Sequence, residues 1–181
     1  MKLKFAAGLL ALSLVTPAAM AQDMPFGSPD DVAFATQLWD VLLAAKMVGP
    51  GMIRVFPYEG TDPHGMMLET LYTRATVAGE EGDLIVKRNF GPEGVSAADV
   101  LNEPDKHLGA YTVMFRRAAG FDPEDKDFFW VKYLPDGTPD KTPEGMPMVG
   151  KVAKGMDAGC IACHTGAPGG DLLWTTDHLK Y

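Results

Sequence analysis

The chain has 181 residues, of which 16 are Lys or Arg and 24 are Asp or Glu, so its formal net charge at pH 7 is −8. This acidic balance argues against nucleic acid or an anionic membrane surface as a partner, and it leaves room for a basic protein partner. Because 46% of the residues are hydrophobic, the composition is that of a globular protein rather than a disordered one.

The first residues have the layout of a secretory signal peptide. Two lysines precede an apolar run over residues 5–15, and small residues follow as far as Ala21. The run is too short to cross a bilayer, which takes roughly 18 apolar residues, and no other stretch is that long. We therefore expect residues 1–21 to be removed on export to the periplasm, and residues 22–181 to form one domain without a membrane span.

The segment "SPDDVAFATQLWDVLLAAKMVGPG" predicts a long helix after this leader. Ser28 suits the N-cap, Pro29 suits the first turn, and the two aspartates that follow suit the positive end of the helix dipole. Apolar residues then recur on one face, and Gly49 with Pro50 ends the pattern.

Downstream the apolar pattern changes to a period of two. Segments rich in β-branched and aromatic residues predict strands at 52–58, 67–77, 84–90, 110–118 and 127–134. The clusters "AGEEGD" and "PDGTPD" are typical of turns that join or end antiparallel strands, and "VSAADVLNEPDKHL" favours a short helix. We expect an α+β fold: mainly antiparallel β-sheet, one long N-terminal helix and a C-terminal Gly/Pro-rich segment.

That C-terminal segment contains "GCIACHTG", with the only two cysteines of the chain at Cys160 and Cys163 and a histidine at His164. The Cys-x-x-Cys-His pattern is typical of c-type haem attachment, in which two thiols bind the porphyrin and the histidine binds iron. The predicted export agrees with this interpretation, because c-type haem is attached outside the cytoplasm. The segment is therefore expected to bind one haem c.

Three other interpretations of the two cysteines remain open. A structural zinc site needs four protein ligands, and only His64, His107 and His178 could add to the motif. A thioredoxin-like dithiol normally opens a helix after a strand, whereas this pair stands among glycines. A plain disulfide is compatible with the spacing but leaves His164 without a role.

The late position of the motif distinguishes it from the familiar helical cytochromes. Small electron-transfer cytochromes carry the motif near the N-terminus and take a methionine ligand from downstream, but no methionine follows His164 here. Helical cytochromes c′ carry the motif late but inside a helix, which "TGAPGGD" would break. A sixth iron ligand, if there is one, must come from upstream.

The sequence resembles the cytochrome P-460 family from about His64 to Trp174. The resemblance rests on "PHGMML", "GDLIVKRNFGPEG", "YTVMFRRAAGFDPEDKDFFWVKYLPDG" and "GCIACHTGAPGGDLLWT". It implies an exported monohaem protein of mainly β-sheet fold. Members include hydroxylamine-oxidising enzymes with a lysine–haem cross-link and β-sheet cytochromes c′ that bind nitric oxide. The resemblance thus implies a small nitrogen-containing ligand or substrate, a soluble redox partner protein and a homodimer.

The motif and the resemblance together assign the proximal side of the haem. Cys160 and Cys163 hold the haem, and His164 is the proximal iron ligand. Lys87 is the candidate for the cross-linking lysine, with Lys132 as its rival, although an exposed sheet lysine is the plainer interpretation of each. Strand alternation places Lys87 on the same side as Ile85 and Asn89.

The distal side has several candidates. His64 is the best upstream imidazole for a sixth ligand, which would make a six-coordinate electron-transfer cytochrome without catalytic activity. Glu93 is a candidate proton relay if its loop covers the haem, with a solvated turn acid as the alternative. His107 and His178 lie in polar surroundings. Six methionines are further candidates for the sixth ligand by count: Met66, Met67, Met114, Met146, Met148 and Met156. Four aromatic residues are expected in the core or the haem wall: Phe115, Phe128, Phe129 and Trp130.

Overall fold

The computed structural model describes residues 26–174; the predicted signal peptide and His178 lie outside the described residues. These residues form a six-stranded antiparallel sheet whose strands follow one another in chain order, together with several helices. The expected α+β class with an antiparallel sheet is therefore confirmed. The elements are α1 (Pro29–Ala44), β1 (Tyr58–Glu59), β2 (Met67–Val77), β3 (Glu80–Phe90), α2 (Ala97–Asn102), α3 (Pro104–His107), β4 (Leu108–Arg116), β5 (Phe128–Tyr133), β6 (Val149–Gly150) and α4 (Cys160–His164).

Helix α1 covers one face of the sheet. The Ser28 side chain accepts a hydrogen bond from the Asp31 backbone, and the Asp31 carboxylate accepts one from the Ser28 backbone, so two free N–H groups of the first turn are satisfied. The apolar side of the helix is buried against alternate residues of β3, β4 and β5. This core includes Phe34, Ala35, Leu38, Leu42, Leu84, Val86, Val113, Phe115, Phe129 and Tyr133.

Four of the five predicted strands are confirmed as β2, β3, β4 and β5, with ends shifted by a few residues. The fifth, over residues 52–58, is wrong except for its last residue, which belongs to the two-residue strand β1. The start of this segment is held by other bonds than those of a strand ladder: the buried Arg88 guanidinium donates to the Ile53 carbonyl, and the Met52 and Ile53 N–H groups donate to carbonyls of residues 49 and 46. The expected short helix over 95–108 is found as two, α2 and α3.

A buried ion pair holds this segment against the sheet. Arg88 and Glu69 are fully buried on neighbouring strands, with Nη1 and Oε2 2.6 Å apart, and Arg54 contacts the other carboxylate oxygen at 2.7 Å. Such complete pairing offsets much of the cost of taking these charges out of water. The face of the sheet that carries this network and α1 is thus closed by protein.

The opposite face of the sheet is covered by the C-terminal part of the chain. A second apolar cluster contains residues of β3, β4 and β5 that alternate with those of the first, and it extends to the segment around α4. Its buried members are Phe26, Ile85, Met114, Phe128, Trp130, Val152, Ala153, Ile161 and Leu172. The Cys-x-x-Cys-His motif is therefore held against the sheet. No helix within the described part of the chain has both the length and the apolar character needed to cross a membrane.

Candidate functional site

Three neighbouring strands present alternate side chains to the space beneath α4. Pairing in register places Lys87 of β3 opposite Thr112 of β4, and Thr112 opposite Lys132 of β5. The next inward-facing row, one pleat along, consists of Ile85, Met114 and Trp130. These six residues line a cavity of about 380 Å³. The expected position of Lys87 on the same side of the sheet as Ile85 is therefore confirmed.

Helix α4 forms the other wall of the cavity. It is a single turn that begins at Cys160 and ends at His164, so both cysteines and the histidine lie on one short element. Both thiols are free and both line the cavity, with Cys160 half-buried and Cys163 exposed. Gly159 before the helix has φ 127°, and a Cβ there would overlap the Ala153 side chain, so the entry into α4 requires glycine.

The start of α4 at Cys160 weakens one argument made from the sequence. A helix opened by the first cysteine is a feature of dithiol sites, so the glycine-rich setting does not exclude that alternative. Within residues 26–174 no group of three or more His, Cys, Asp or Glu side chains is placed to hold a metal ion.

His164 is buried, with 5% of its surface exposed, and its ring is held from two sides. Nδ1 lies 2.6 Å from the Leu172 carbonyl oxygen and donates to it, which fixes the neutral ring with a lone pair on Nε2. The Trp130 indole packs edge-on against the imidazole at 4.8 Å between centroids. Burial lowers the pKa of His164 to about 4. The Nε2 atom of His164 is therefore available to a metal at neutral pH.

His64 is brought to the same place from the segment between β1 and β2. Its ring centroid lies 6.0 Å from that of His164, with the ring planes at 82°. Its Nδ1 is 3.1 Å from the Thr112 hydroxyl. Burial, followed by the positive charge of Lys87, lowers the pKa of His64 to about 4. The upstream imidazole singled out in the sequence thus lies beside the histidine of the Cys-x-x-Cys-His motif.

A second cavity of about 610 Å³ adjoins the first and opens toward β1 and Trp174. Both cavities are lined by His64, Lys87, Cys163 and His164. The two histidines therefore stand at the junction of two spaces, each within the size range of small-molecule sites.

The two candidate lysines differ in their surroundings. Lys87 is buried, with 8% of its surface exposed, so its interpretation as an exposed sheet lysine is wrong. No hydrogen bond or ion pair of its amine is found within residues 26–174, and burial lowers its pKa. Lys132 is half-buried, and its amine forms an ion pair with Asp140 at 2.8 Å. Of the two cavity lysines, Lys87 is therefore the one whose amine has no partner among residues 26–174.

The remaining predicted residues lie elsewhere. Glu93 is exposed on the turn before α2 and lines neither cavity, so its position gives no support to a relay role. His107 ends α3, where its Nδ1 is 3.1 Å from the Gly91 carbonyl oxygen. Among the candidate methionines, Met114 and Met148 line the cavity; Met66 and Met156 are exposed, Met67 is buried in a separate cluster, and Met146 packs beside the cavity cluster.

Sequence reasoning gave no role to three residues that shape this site, although it placed Asn89 on the same side as Lys87. Thr112 and Asn89 form hydrogen bonds beneath His64, and Leu172 supplies the carbonyl that orients His164. Strand alternation relative to Met114 was the available signal for Thr112. No signal in the sequence marks Leu172, because its backbone rather than its side chain acts. Trp130, which was expected in a wall, also has a buried indole N–H without a hydrogen-bond partner in the described residues.

Comparison with known proteins adds no relative to this description. The chain matches no protein-family model, no curated protein and no solved structure.

Proposed function

We propose that this protein is a periplasmic monohaem c-type cytochrome in which His164 and His64 are the two axial ligands, and that it transfers electrons to a soluble partner. The observation that carries the proposal is the 6.0 Å separation of the two imidazole rings. One metal ion bound by both Nε2 atoms needs ring centroids about 6 Å apart, because each metal–nitrogen bond is about 2 Å long and each ring centroid lies about 1 Å beyond its nitrogen. The paired histidines thus match the requirement of a single iron.

The donor set around the cavity fits haem c. The thiols of Cys160 and Cys163 stand on one helical turn with His164, as covalent attachment through two thioethers requires. The cavity walls are largely apolar side chains of β3, β4 and β5, which suits a flat porphyrin. The buried Trp130 N–H on one wall has no hydrogen-bond partner among residues 26–174, which supports the presence of a group outside the protein chain in this cavity.

Each residue has a defined task in this proposal. The Leu172 carbonyl holds His164 in the tautomer that leaves Nε2 free, and burial keeps both imidazoles neutral at pH 7. The bound haem would supply an iron that changes its charge by one electron. The apolar walls keep water away from that site.

A second candidate function follows from Lys87. Its buried amine faces the same cavity without a partner in the described residues, so it can donate a hydrogen bond to a small polar ligand. This favours the binding of nitric oxide or the oxidation of hydroxylamine, which the resemblance to the cytochrome P-460 family implies. In that case the side of the iron facing away from His164 is open to ligands.

Optical spectroscopy of the exported full chain, produced in a host that attaches c-type haem, tests both functions. Two axial imidazoles give a low-spin ferric spectrum and slow binding of carbon monoxide, and His64→Ala changes the spectrum to high-spin. His107→Ala serves as the control, because this histidine lies outside both cavities. A high-spin wild-type protein that binds nitric oxide rapidly would overturn the first function in favour of the second.

Covalent attachment is tested separately by haem staining of a denaturing gel. The wild-type chain is expected to stain, and Cys160→Ala/Cys163→Ala is expected to lose the stain. Persistent staining of the double variant would contradict the haem c proposal whatever the axial ligands are.

The cross-link that the resemblance implies has a clear candidate in this cavity. The buried Lys87 amine has no partner among residues 26–174, whereas the Lys132 amine is paired with Asp140. A link would replace one N–H and one porphyrin C–H bond with a C–N bond, with an oxidant of the peroxide class taking up two electrons and two protons. Mass spectrometry would find the haem peptide joined to a Lys87 peptide, lighter than their sum by two hydrogen atoms. An unlinked haem peptide would exclude it.

A further inference from the structure

A chain of hydrogen bonds reaches His64 from beneath the sheet surface. The Thr112 hydroxyl on β4 lies 3.1 Å from His64 Nδ1 and 3.4 Å from the Asn89 side chain on β3. Asn89 is buried, with 5% of its surface exposed, so its amide is held by the surrounding protein. These hydrogen bonds thus connect side chains of two paired strands, β3 and β4, to the His64 ring on the segment between β1 and β2.

The hydroxyl of Thr112 can donate only one hydrogen, so two arrangements of this chain are possible. If it donates to the Asn89 oxygen, it accepts from Nδ1–H of His64, and Nε2 then carries a lone pair. In the reverse arrangement Nε2 carries the hydrogen, which finds no acceptor among residues 26–174. The positive charge of Lys87 in the same cavity also favours a lone pair over an N–H group.

We propose that Thr112, oriented by Asn89, is a positioning residue that holds His64 in the Nδ1–H tautomer with Nε2 free to bind iron. The inference rests on the proposed function, because it concerns the His64 ligand. It makes the two histidines equivalent: each donates from Nδ1 to a protein oxygen, the Thr112 hydroxyl for one and the Leu172 carbonyl for the other.

The position of the His64 ring depends on Thr112 more strongly than the position of the His64 backbone does. The segment around it is tied by backbone bonds from Gly60 to Met66 at 2.8 Å and from Met66 to Phe90 at 2.9 Å. The ring has only the one hydrogen bond within residues 26–174. Loss of the Thr112 hydroxyl is therefore expected to release the ring while the segment stays in place.

The test compares Thr112→Val, which keeps the shape but removes the hydroxyl, with Thr112→Ser, which keeps the hydroxyl. Thr76→Val is the matched control, since Thr76 is an exposed threonine elsewhere on β2. The readouts on the haem-containing full chain are the ferric spin state and the carbon monoxide affinity of the ferrous protein. Removing a partner of a metal-bound histidine typically weakens its bond about 10- to 100-fold. Thr112→Val should therefore raise carbon monoxide affinity by about that factor and add a high-spin band, while Thr112→Ser and Thr76→Val stay close to wild type.

The outcomes separate this inference from the proposed function. If His64→Ala turns high-spin but Thr112→Val keeps the wild-type spectrum and affinity, the positioning role is wrong and the His64 ligand stands. If the wild-type protein is already high-spin, both are wrong, although haem staining still decides covalent attachment. If Thr112→Ser behaves like Thr112→Val, the methyl group rather than the hydroxyl acts, which also overturns the inference.

Discussion

The ring of His64 lies 6.0 Å from the ring of His164, although one follows the edge strand β1 and the other ends helix α4. Both are packed against the face of the sheet that α1 leaves uncovered, in a cavity that also contains the Lys87 amine. Three basic groups thus share a largely apolar space. Charging any of them there is costly, so the stability of the protein should respond to pH and to substitution at these positions.

The two histidines should make the haem-free protein acid-sensitive. Burial lowers the pKa of each to about 4, from 6.5 in the unfolded chain. Below pH 6.5 the unfolded chain binds protons that the folded protein does not, so stability is lost as the pH falls from 6.5 towards 4. The loss from His164 at pH 4.5 is roughly 2–3 kcal/mol.

Urea unfolding of Cys160→Ala/Cys163→Ala at pH 7 and pH 4.5 measures this loss. Adding His164→Gln should reduce it, whereas adding His107→Gln, outside the cavities, should leave it unchanged. An equal loss with and without His164 would contradict the assignment.

Replacing Lys87 with methionine should stabilise the haem-free protein at pH 7. Burial lowers the pKa of Lys87, so the folded state carries a charge penalty below that pKa which the unfolded chain lacks. The penalty disappears as the pH rises through the folded pKa towards 10.5, and the advantage of Lys87→Met should shrink accordingly. Unfolding by urea at pH 7 and pH 10 measures both effects.

Lys154 provides the opposite control. Its amine is paired with Asp122, Glu124 and Asp125, which raises its pKa, so its charge stabilises the folded state. Lys154→Met should therefore lower stability at pH 7. If both substitutions shift stability in the same direction, burial without a partner is not the property that distinguishes Lys87.

The buried ion pair on the other face should dominate the stability of the 47–54 segment. Arg88→Met leaves the Glu69 carboxylate buried with Arg54 as its remaining cation, and leaves two backbone carbonyls without their donor. Breaking such a pair typically costs about 3–5 kcal/mol. Arg54→Met, at a partly exposed position, should cost clearly less by the same urea measurement. Equal costs would show that the Arg88 contacts to Met47 and Ile53 contribute little.

Local patterns in the sequence predicted those parts of the fold that depend on neighbouring residues. Alternation identified β2 and β3 and placed Lys87 beside Ile85, because the two-residue period acts within one strand. Alternation did not indicate which face of the sheet α1 covers, because Val86 on one face and Ile85 on the other are both apolar. The strand predicted at 52–58 failed where its backbone bonds elsewhere: the Ile53 carbonyl accepts from Arg88, which is distant in sequence, and the Ile53 N–H donates to the Lys46 carbonyl.

The candidate site likewise has residues that local sequence patterns predict and contacts that they do not. Cys160, Cys163 and His164 were found because their spacing on one turn is itself the signal. The contact that orients His64 joins residues far apart in sequence, since 48 positions separate it from Thr112, and the contact that orients His164 is made by the backbone carbonyl of Leu172. Such pairs depend on strand register and loop packing, for which a single sequence offers no measure. The exposed-lysine interpretation of Lys87 failed for a related reason, because the segment that covers it follows β6.

Two ring substitutions on β5 should separate the cavity face from the core face. Trp130 points to the cavity with a buried N–H that has no partner in the described residues, while the Tyr133 hydroxyl on the other face donates to the Ala35 carbonyl at 2.6 Å. Trp130→Phe removes a donor whose burial is uncompensated but also loses part of the ring packing, so the two effects oppose each other and haem-free stability should change by less than about 1 kcal/mol. Tyr133→Phe breaks a buried hydrogen bond and should cost about 1–3 kcal/mol.

Trp130→Ala, which removes the ring, should cost about 3–5 kcal/mol and shows that packing at this position is intact in the wild type. A loss for Trp130→Phe as large as that for Tyr133→Phe would mean that the indole N–H already has a partner, and would remove one support for a bound group in the cavity.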